Sequence, residues 1–77
     1  MKFVFQYKVG DRVVYTGTDW EHPEYIDRGE TGTVVELYPG SVGVCWDKKD
    51  NNRHDCDGNC PRGHGWYVYK KEVMPEI

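Results

Sequence analysis

The sequence predicts an all-β fold, a small antiparallel barrel with two long loops, and three observations lead to this prediction. No window repeats apolar residues at positions i, i+3, i+4 and i+7 over three turns, so helical periodicity is absent. Apolar residues alternate instead, most clearly at Val42, Val44 and Trp46. Short strands with tight turns in a chain of 77 residues favour a barrel, because closure removes exposed sheet edges. One domain is expected over residues 1–77.

Six short segments have the alternation or the β-branched composition that is typical of strands. In chain order, these predicted strands are 3–8, 12–15, 31–38, 42–46, 66–69 and 73–74. A type II turn is expected over residues 38–41, since Pro39 presets its own φ and Gly40 accepts a positive φ. The polar segments 16–30 and 47–65 are predicted to be the two long loops.

Charge and hydropathy exclude several classes of protein. The chain carries 10 Lys and Arg against 13 Asp and Glu, a formal charge of −3 that argues against broad binding along a phosphate backbone. Lys2, Gln6 and Lys8 interrupt the apolar residues near the start, so no signal-peptide core is predicted, and no stretch is long enough to span a bilayer. These features predict a cytoplasmic protein without a membrane partner, in which cysteines stay reduced unless they bind metal or perform redox chemistry.

The second loop contains a candidate metal site. His54, Cys56, Cys60 and His64 are spaced His-x-Cys-x3-Cys-x3-His, and two imidazoles with two thiolates can satisfy one tetrahedral Zn²⁺. The sequence therefore predicts one structural zinc ion as the single cofactor. Two alternatives stay open: the cysteines are reduced loop residues while His64 packs or hydrogen-bonds near the following strand, or Cys56 and Cys60 form a disulfide.

The sequence does not predict a catalytic site. Ser41 is the only serine, and it lies in a predicted turn. Cys56 has His54 two residues away, but no donors for an oxyanion can be identified around this pair on a loop. We therefore expect a protein that is not an enzyme.

Aromatic residues near the loops predict a protein-binding surface. Trp20 lies in the first polar loop, where a tryptophan is hard to bury, and we expect it to contact a partner. Trp46 or Trp66 would form the floor of this surface, and Asp19 and Glu21 would form an acidic rim that suits a basic or polar partner segment. The alternatives are that Trp46 and Trp66 belong to the core, and that Trp20 only staples the loop.

Several motifs between residues 9 and 47 follow the pattern of one family. They are Gly10-Asp11-Arg12-Val13-Val14, Asp19-Trp20, Gly32-Thr33-Val34-Val35-Glu36 and Val44-Cys45-Trp46-Asp47. This part of the chain resembles the domain shared by the Mind bomb and HERC ubiquitin ligases. The resemblance implies an SH3-like barrel that is used for protein recognition. Beyond Asp47 the chain departs from the family pattern, because it inserts the loop that contains the cysteines and histidines.

Two weaker resemblances concern the rest of the chain. Residues 43–47 and 64–68 are similar to the microtubule plus-end CAP-Gly module, another SH3-like barrel, although its Gly-Lys-Asn-Asp-Gly loop is absent here. The inserted loop resembles small bacteriophage proteins, which implies a phage accessory protein that engages a host component.

We therefore expect an SH3-like barrel that acts as a non-enzymatic protein-interaction module. The alternative is a nucleic-acid-binding barrel of the ribosomal KOW kind, because the segments 10–14 and 29–34 also suit that short motif. The acidic balance of the chain works against this alternative.

Overall fold

The computed structural model describes residues 6–17 and 26–76, which form one antiparallel sheet of five strands. The strands are β1 (Arg12–Tyr15), β2 (Thr31–Leu37), β3 (Ser41–Trp46), β4 (Gly65–Tyr69) and β5 (Val73–Pro75). Their order in the sheet is β4-β3-β2-β1-β5, and the only helix in the described part is a 3-10 turn at Lys70–Glu72. The predicted all-β antiparallel fold is confirmed, and the arrangement is consistent with a small β-barrel-like fold.

The predicted opening strand is not present in the residues that the structure describes. Residues 3–5 of that segment lie outside the described residues, and 6–8 are not in a strand. The Lys8 N–H instead bonds to the Asp11 carboxylate, and Gly10 adopts a positive φ, so the chain turns into β1. Tyr7 nevertheless joins the core, where its hydroxyl donates to the carbonyl of Val73 at 3.0 Å.

The hairpin of β2 and β3 is confirmed, but its turn differs from the prediction. The Tyr38 N–H bonds to the Ser41 carbonyl at 3.0 Å, which closes the loop at the expected place. Gly40 does not adopt a positive φ, so the prediction of a type II turn is wrong. A type I turn accepts proline at the same position and requires no positive φ, so the Pro-Gly pair alone does not distinguish the two turns.

The core lies on one face of this curved sheet, as the alternation predicts. Val42, Val44 and Trp46 of β3 are fully buried, and across the hairpin Val34 pairs with Val44. Trp46 packs edge-on against Tyr15 of β1, with ring centroids 6.0 Å apart. A small sheet with few aliphatic residues thus uses large aromatic rings to fill its interior.

A β-bulge in β2 changes which side chains face outward. Val34 pairs with Val44, but the next pair is Glu36 with Gly43, so Val35 is the additional residue. Strict alternation would direct Glu36 to the core face together with Val34. The bulge reverses this and turns Glu36 to the outer face.

The second long loop is anchored to the sheet at two points. His54 and Gly65 exchange two backbone hydrogen bonds, of 2.8 and 2.7 Å, so that the loop pairs with the start of β4. The Arg53 side chain is buried and binds both carboxylate oxygens of Glu30, at 2.9 and 2.7 Å. This anchoring holds the residues after position 53 against the outer face of β4.

Among the described residues, no helix has the length and apolar composition needed to cross a membrane.

Candidate protein-recognition surface

The five residues predicted to bind a partner differ in their location and burial. Asp19, Trp20 and Glu21 lie outside the described residues. Trp46 has no exposed area and packs in the core, so it offers no surface to a partner. Trp66 is half-buried, packs against the core from β4 and keeps part of its ring accessible.

A glycine in the middle strand determines how the outer face is built. The register across three strands places Glu36 opposite Gly43 and Gly43 opposite Tyr67. A Cβ atom at Gly43 would lie 3.0 Å from both Tyr67 Cε1 and the Glu36 Cβ. The Tyr67 ring therefore lies across β3 in the space that a side chain would take, and its hydroxyl reaches Glu36.

The carboxylate of Glu36 is held by two phenols. Tyr67 donates to one oxygen at 2.8 Å, and Tyr38 donates to the other. These bonds, the one from Tyr38 first, hold the pKa of Glu36 below its ordinary value, so it remains an anion. The same bond to Glu36 raises the pKa of Tyr67, and the nearby charge of Asp57 raises it further.

Four aromatic side chains form a connected group beside this carboxylate, and we call them the aromatic cluster: Tyr38, His54, Trp66 and Tyr67. The Tyr67 ring contacts Tyr38 edge-on at 5.8 Å between centroids and His54 at 4.9 Å. His54 also lies 5.2 Å from Trp66, which joins all four rings into one row. Tyr38 is 41% exposed, so the row is open to solvent at its Glu36 end.

Asp57 adds a second negative charge beside the aromatic cluster. Its Oδ2 lies 3.3 Å from the Tyr67 hydroxyl, whose single proton is used by the shorter bond to Glu36. Cys56 and Asp57 both adopt a left-handed backbone conformation, with φ of 47° and 57°. This conformation is uncommon for residues other than glycine, and here it brings the Asp57 carboxylate back toward Tyr67.

The donors predicted to bind zinc are engaged in other contacts. His54 accepts the Cys56 N–H at Nδ1 (2.9 Å), so its neutral ring carries the proton on Nε2 and presents no free lone pair. His64 donates from Nδ1 to the Trp46 carbonyl at 2.7 Å, which leaves its Nε2 able to accept. In the part of the chain that the structure describes, no three His, Cys, Asp or Glu side chains form a group that could hold a metal ion. The four residues as folded do not fit a zinc site, and zinc binding stays a prediction.

The three cysteines are free thiols that lie near one another on the outer face. A Cβ at Gly65 would lie 2.9 Å from Cys56 Sγ, so this thiol occupies the side-chain space of that glycine, beside Cys45 in the paired strand. Burial raises the pKa of Cys56 to about 12. Burial, together with its interactions with the other two thiols, raises the pKa of Cys60 to about 12 as well. Thiols of this kind are poor nucleophiles at neutral pH, which argues against an activated Cys56.

The second loop also has exposed basic residues. It contains an open hollow of about 310 Å³ lined by residues 51–55 and Arg62. Lys48 and Lys49 are exposed nearby. The guanidinium of Arg53 is used internally by Glu30, so it contributes little free charge to this hollow.

Of the aromatic cluster, the sequence predicts Trp66 as a protein-binding residue and His54 as a zinc ligand, but it does not single out Tyr38 or Tyr67. Its central member Tyr67 was visible only as one of many aromatic residues, and Glu36 has the sequence position of a core-facing residue. The bulge at Val35 turns Glu36 outward. A strand rich in β-branched residues gives no sequence pattern from which this bulge could be predicted. No family model, curated protein or solved structure matches this chain.

Proposed function

We propose that this chain is a non-enzymatic protein-interaction module whose binding surface is the aromatic cluster with the Glu36 and Asp57 carboxylates. The observation that carries this proposal is the row of four aromatic rings next to a carboxylate that two phenols hold in place. Tyr38, His54 and Tyr67 lie outside the core, and Trp66 packs against it. Rigid aromatic side chains with accessible faces give much contact area at a low entropic cost, which is why they anchor protein interfaces.

Further features support a role in binding. Tyr38, His54 and Tyr67 are not part of the hydrophobic core, which includes Trp46, Val34 and the valines of β3. Within the part of the chain that the structure describes, no basic side chain bonds to the Glu36 or Asp57 carboxylate. Their charges give the surface a negative potential, which favours a basic partner. The resemblance to the Mind bomb and HERC domain points in the same direction, since that domain is used for protein recognition.

The test begins with an unbiased library of random twelve-residue peptides displayed on phage. Selected peptides are then titrated into isotope-labelled protein, and amide chemical shifts locate the contact. We expect enrichment of peptides that perturb His54, Trp66 and Tyr67. Tyr38→Ala should weaken binding by about tenfold or more, which corresponds to the loss of an aromatic anchor.

A matched control is available next to Tyr38. Leu37 is 43% exposed against 41% for Tyr38, but it is not part of the aromatic cluster, so Leu37→Ala should leave binding unchanged. The residue selected from the sequence is tested in parallel by Trp20→Ala. If Trp20→Ala abolishes binding with the fold intact, while Tyr38→Ala has no effect, the recognition surface is on the first loop. If no peptide is enriched, the proposed function fails.

The KOW-like alternative of nucleic-acid binding is favoured by one observation, the three exposed basic residues Lys48, Lys49 and Arg62 in the second loop. Lys49 and Arg62 line one open hollow together. A labelled single-stranded RNA of about twenty nucleotides tests it by fluorescence anisotropy. Submicromolar binding that weakens steeply with salt and is lost in Lys48→Glu/Lys49→Glu would support this second function.

A further inference from the structure

The two edges of the sheet differ in how many backbone groups they leave open. The edge strands are β4 and β5. On β5, Val73 donates its N–H to the Lys70 carbonyl, and its own carbonyl accepts the Tyr7 hydroxyl. Pro75 has no N–H to donate. These features prevent the β5 edge from pairing with another strand.

At the edge of β4, the outward backbone groups of the first residue, Gly65, are already paired with His54. Along β4, even-numbered residues bond toward β3: the His64 carbonyl accepts the Trp46 N–H, and the Lys70 N–H bonds to the Gly40 carbonyl. Odd-numbered residues therefore point outward, as Gly65 does when it pairs with His54. Within the described residues, no backbone partner meets the outward N–H and C=O of Tyr67 or the outward N–H of Tyr69.

We propose that β4 accepts an extended peptide segment as an added strand along Tyr67 and Tyr69, and that this segment carries an arginine or lysine opposite Tyr67. The inference rests on the proposed protein-interaction function and names the chemistry of its partner. Strand addition to an open edge derives affinity from main-chain hydrogen bonds and specificity from alternate side chains. The added strand would continue in line with His54, which already pairs with this edge at Gly65.

Charge complementarity identifies the side chain that the segment presents. Opposite Tyr67, a long side chain on the outer face runs along the aromatic cluster toward Glu36 and Asp57, which both contact the Tyr67 hydroxyl. A cation there gains from the carboxylates and from the aromatic faces. At the other end of the edge, the ammonium of Lys71 lies 5.8 Å from the centre of the Tyr69 ring. A second positive charge is therefore disfavoured at that end.

The decisive variant is Tyr69→Pro. Tyr69 has φ of −69° and ψ of 145°, which are the dihedral angles of proline in an extended chain, so the ring can be introduced without strain. The substitution removes an outward N–H that the sheet does not use. Tyr69→Ala is the matched control, because it removes the same aromatic side chain and keeps the N–H.

The probe is the capped peptide Thr-Val-Thr-Arg-Thr-Val-Thr, compared with the same peptide carrying a central Glu. We expect wild-type protein to bind the Arg peptide about tenfold more tightly than the Glu peptide, and Glu36→Gln to remove most of this preference. Tyr69→Pro should weaken binding of the Arg peptide on the order of tenfold relative to Tyr69→Ala. Bound peptide should also slow hydrogen exchange at the Tyr67 and Tyr69 amides in the wild type.

Three results would overturn the inference. Equal affinities of Tyr69→Pro and Tyr69→Ala, with unaltered circular dichroism, would show that the edge is not used. Equal affinities for the Arg and Glu peptides would show that the edge has no preference for a basic partner. A concentration-dependent dimer of the free protein that Tyr69→Pro dissociates would show that a second copy covers the edge. In the first two cases, peptides from the library that still contact the aromatic cluster leave the proposed function standing.

Discussion

The ring of Tyr67 lies across Gly43, so that its hydroxyl bonds to the carboxylate of Glu36 on the far side of β3. This relationship joins three adjacent strands on the outer face of the sheet. The absence of a side chain at the central position is what allows it.

Gly43→Ala should therefore destabilise the fold and disorganise the aromatic cluster. The new methyl group would lie 3.0 Å from the Tyr67 ring and 3.0 Å from the Glu36 Cβ, so one of them must move. We expect a loss of ~1–3 kcal/mol in the free energy of unfolding, measured with urea, because overpacking has this cost. Gly40→Ala is the control, since its Cβ meets nothing within 4 Å and its φ is not positive. Equal stability of the two variants would contradict the placement of the ring.

Arg53→Ala should be the more damaging of two arginine substitutions in the second loop. Arg53 is 3% exposed and binds both oxygens of Glu30. Its removal therefore leaves the partly buried Glu30 carboxylate without its guanidinium partner. Such losses amount to about 3–5 kcal/mol. Arg62→Ala, at an exposed position of the same loop, should change the free energy of unfolding by less than about 0.5 kcal/mol. A loss below about 1 kcal/mol for Arg53→Ala would mean that the ion pair does not anchor the loop.

Asp47 should contribute stability that depends on pH. Hydrogen bonds from Arg12 and then Thr31 lower its pKa from 3.8 to about 2. A group whose pKa is lower in the folded state stabilises the fold above its unfolded pKa, and the contribution is lost as the pH falls through the folded value. Asp47→Asn should therefore be less stable than the wild type at pH 7, and the difference should disappear between about pH 4 and pH 2.

The size of this effect is limited by exposure. The side chains of Arg12 and Asp47 are 41% and 50% exposed, so solvent screens the pair and the difference at pH 7 should stay below about 1 kcal/mol. Urea unfolding at pH 7, 4 and 2 measures it. A difference that is constant over this range would show that Asp47 acts through something other than its charge.

Labelling of Cys56 distinguishes burial from metal binding. Because burial raises its pKa to about 12, alkylation by iodoacetamide at pH 8 should be slow, and a chelator should not change the rate. Mass spectrometry of digested protein gives the rate at each cysteine. If Cys56 reacts much faster after chelator treatment, and the untreated protein contains one zinc per chain, the zinc site predicted from His54, Cys56, Cys60 and His64 is supported instead. Fast labelling without chelator would point to an activated thiol.

Local sequence patterns predict the five observed strands and the buried face of β3. Alternation at Val42, Val44 and Trp46 identifies both a strand and its buried face, because side chains on a strand point alternately to opposite sides. The hairpin to β2 follows from the Pro-Gly pair between two apolar segments, although the pair did not decide the type of turn. These features are local, so a single segment of sequence is enough to predict them.

The residues of the proposed recognition surface are brought together by tertiary structure and not by any local pattern. Glu36 faces outward because one additional residue in β2 reverses the alternation, and that depends on how β2 pairs with β3. Tyr67 reaches Glu36 because the strand between them has a glycine at the matching position of the register. Trp46, a candidate for the surface from its place at a strand end, is buried because Tyr15 from another strand packs against it. Each outcome depends on residues distant in sequence that strand pairing brings together, and alternation within one strand contains no information about its neighbour's register.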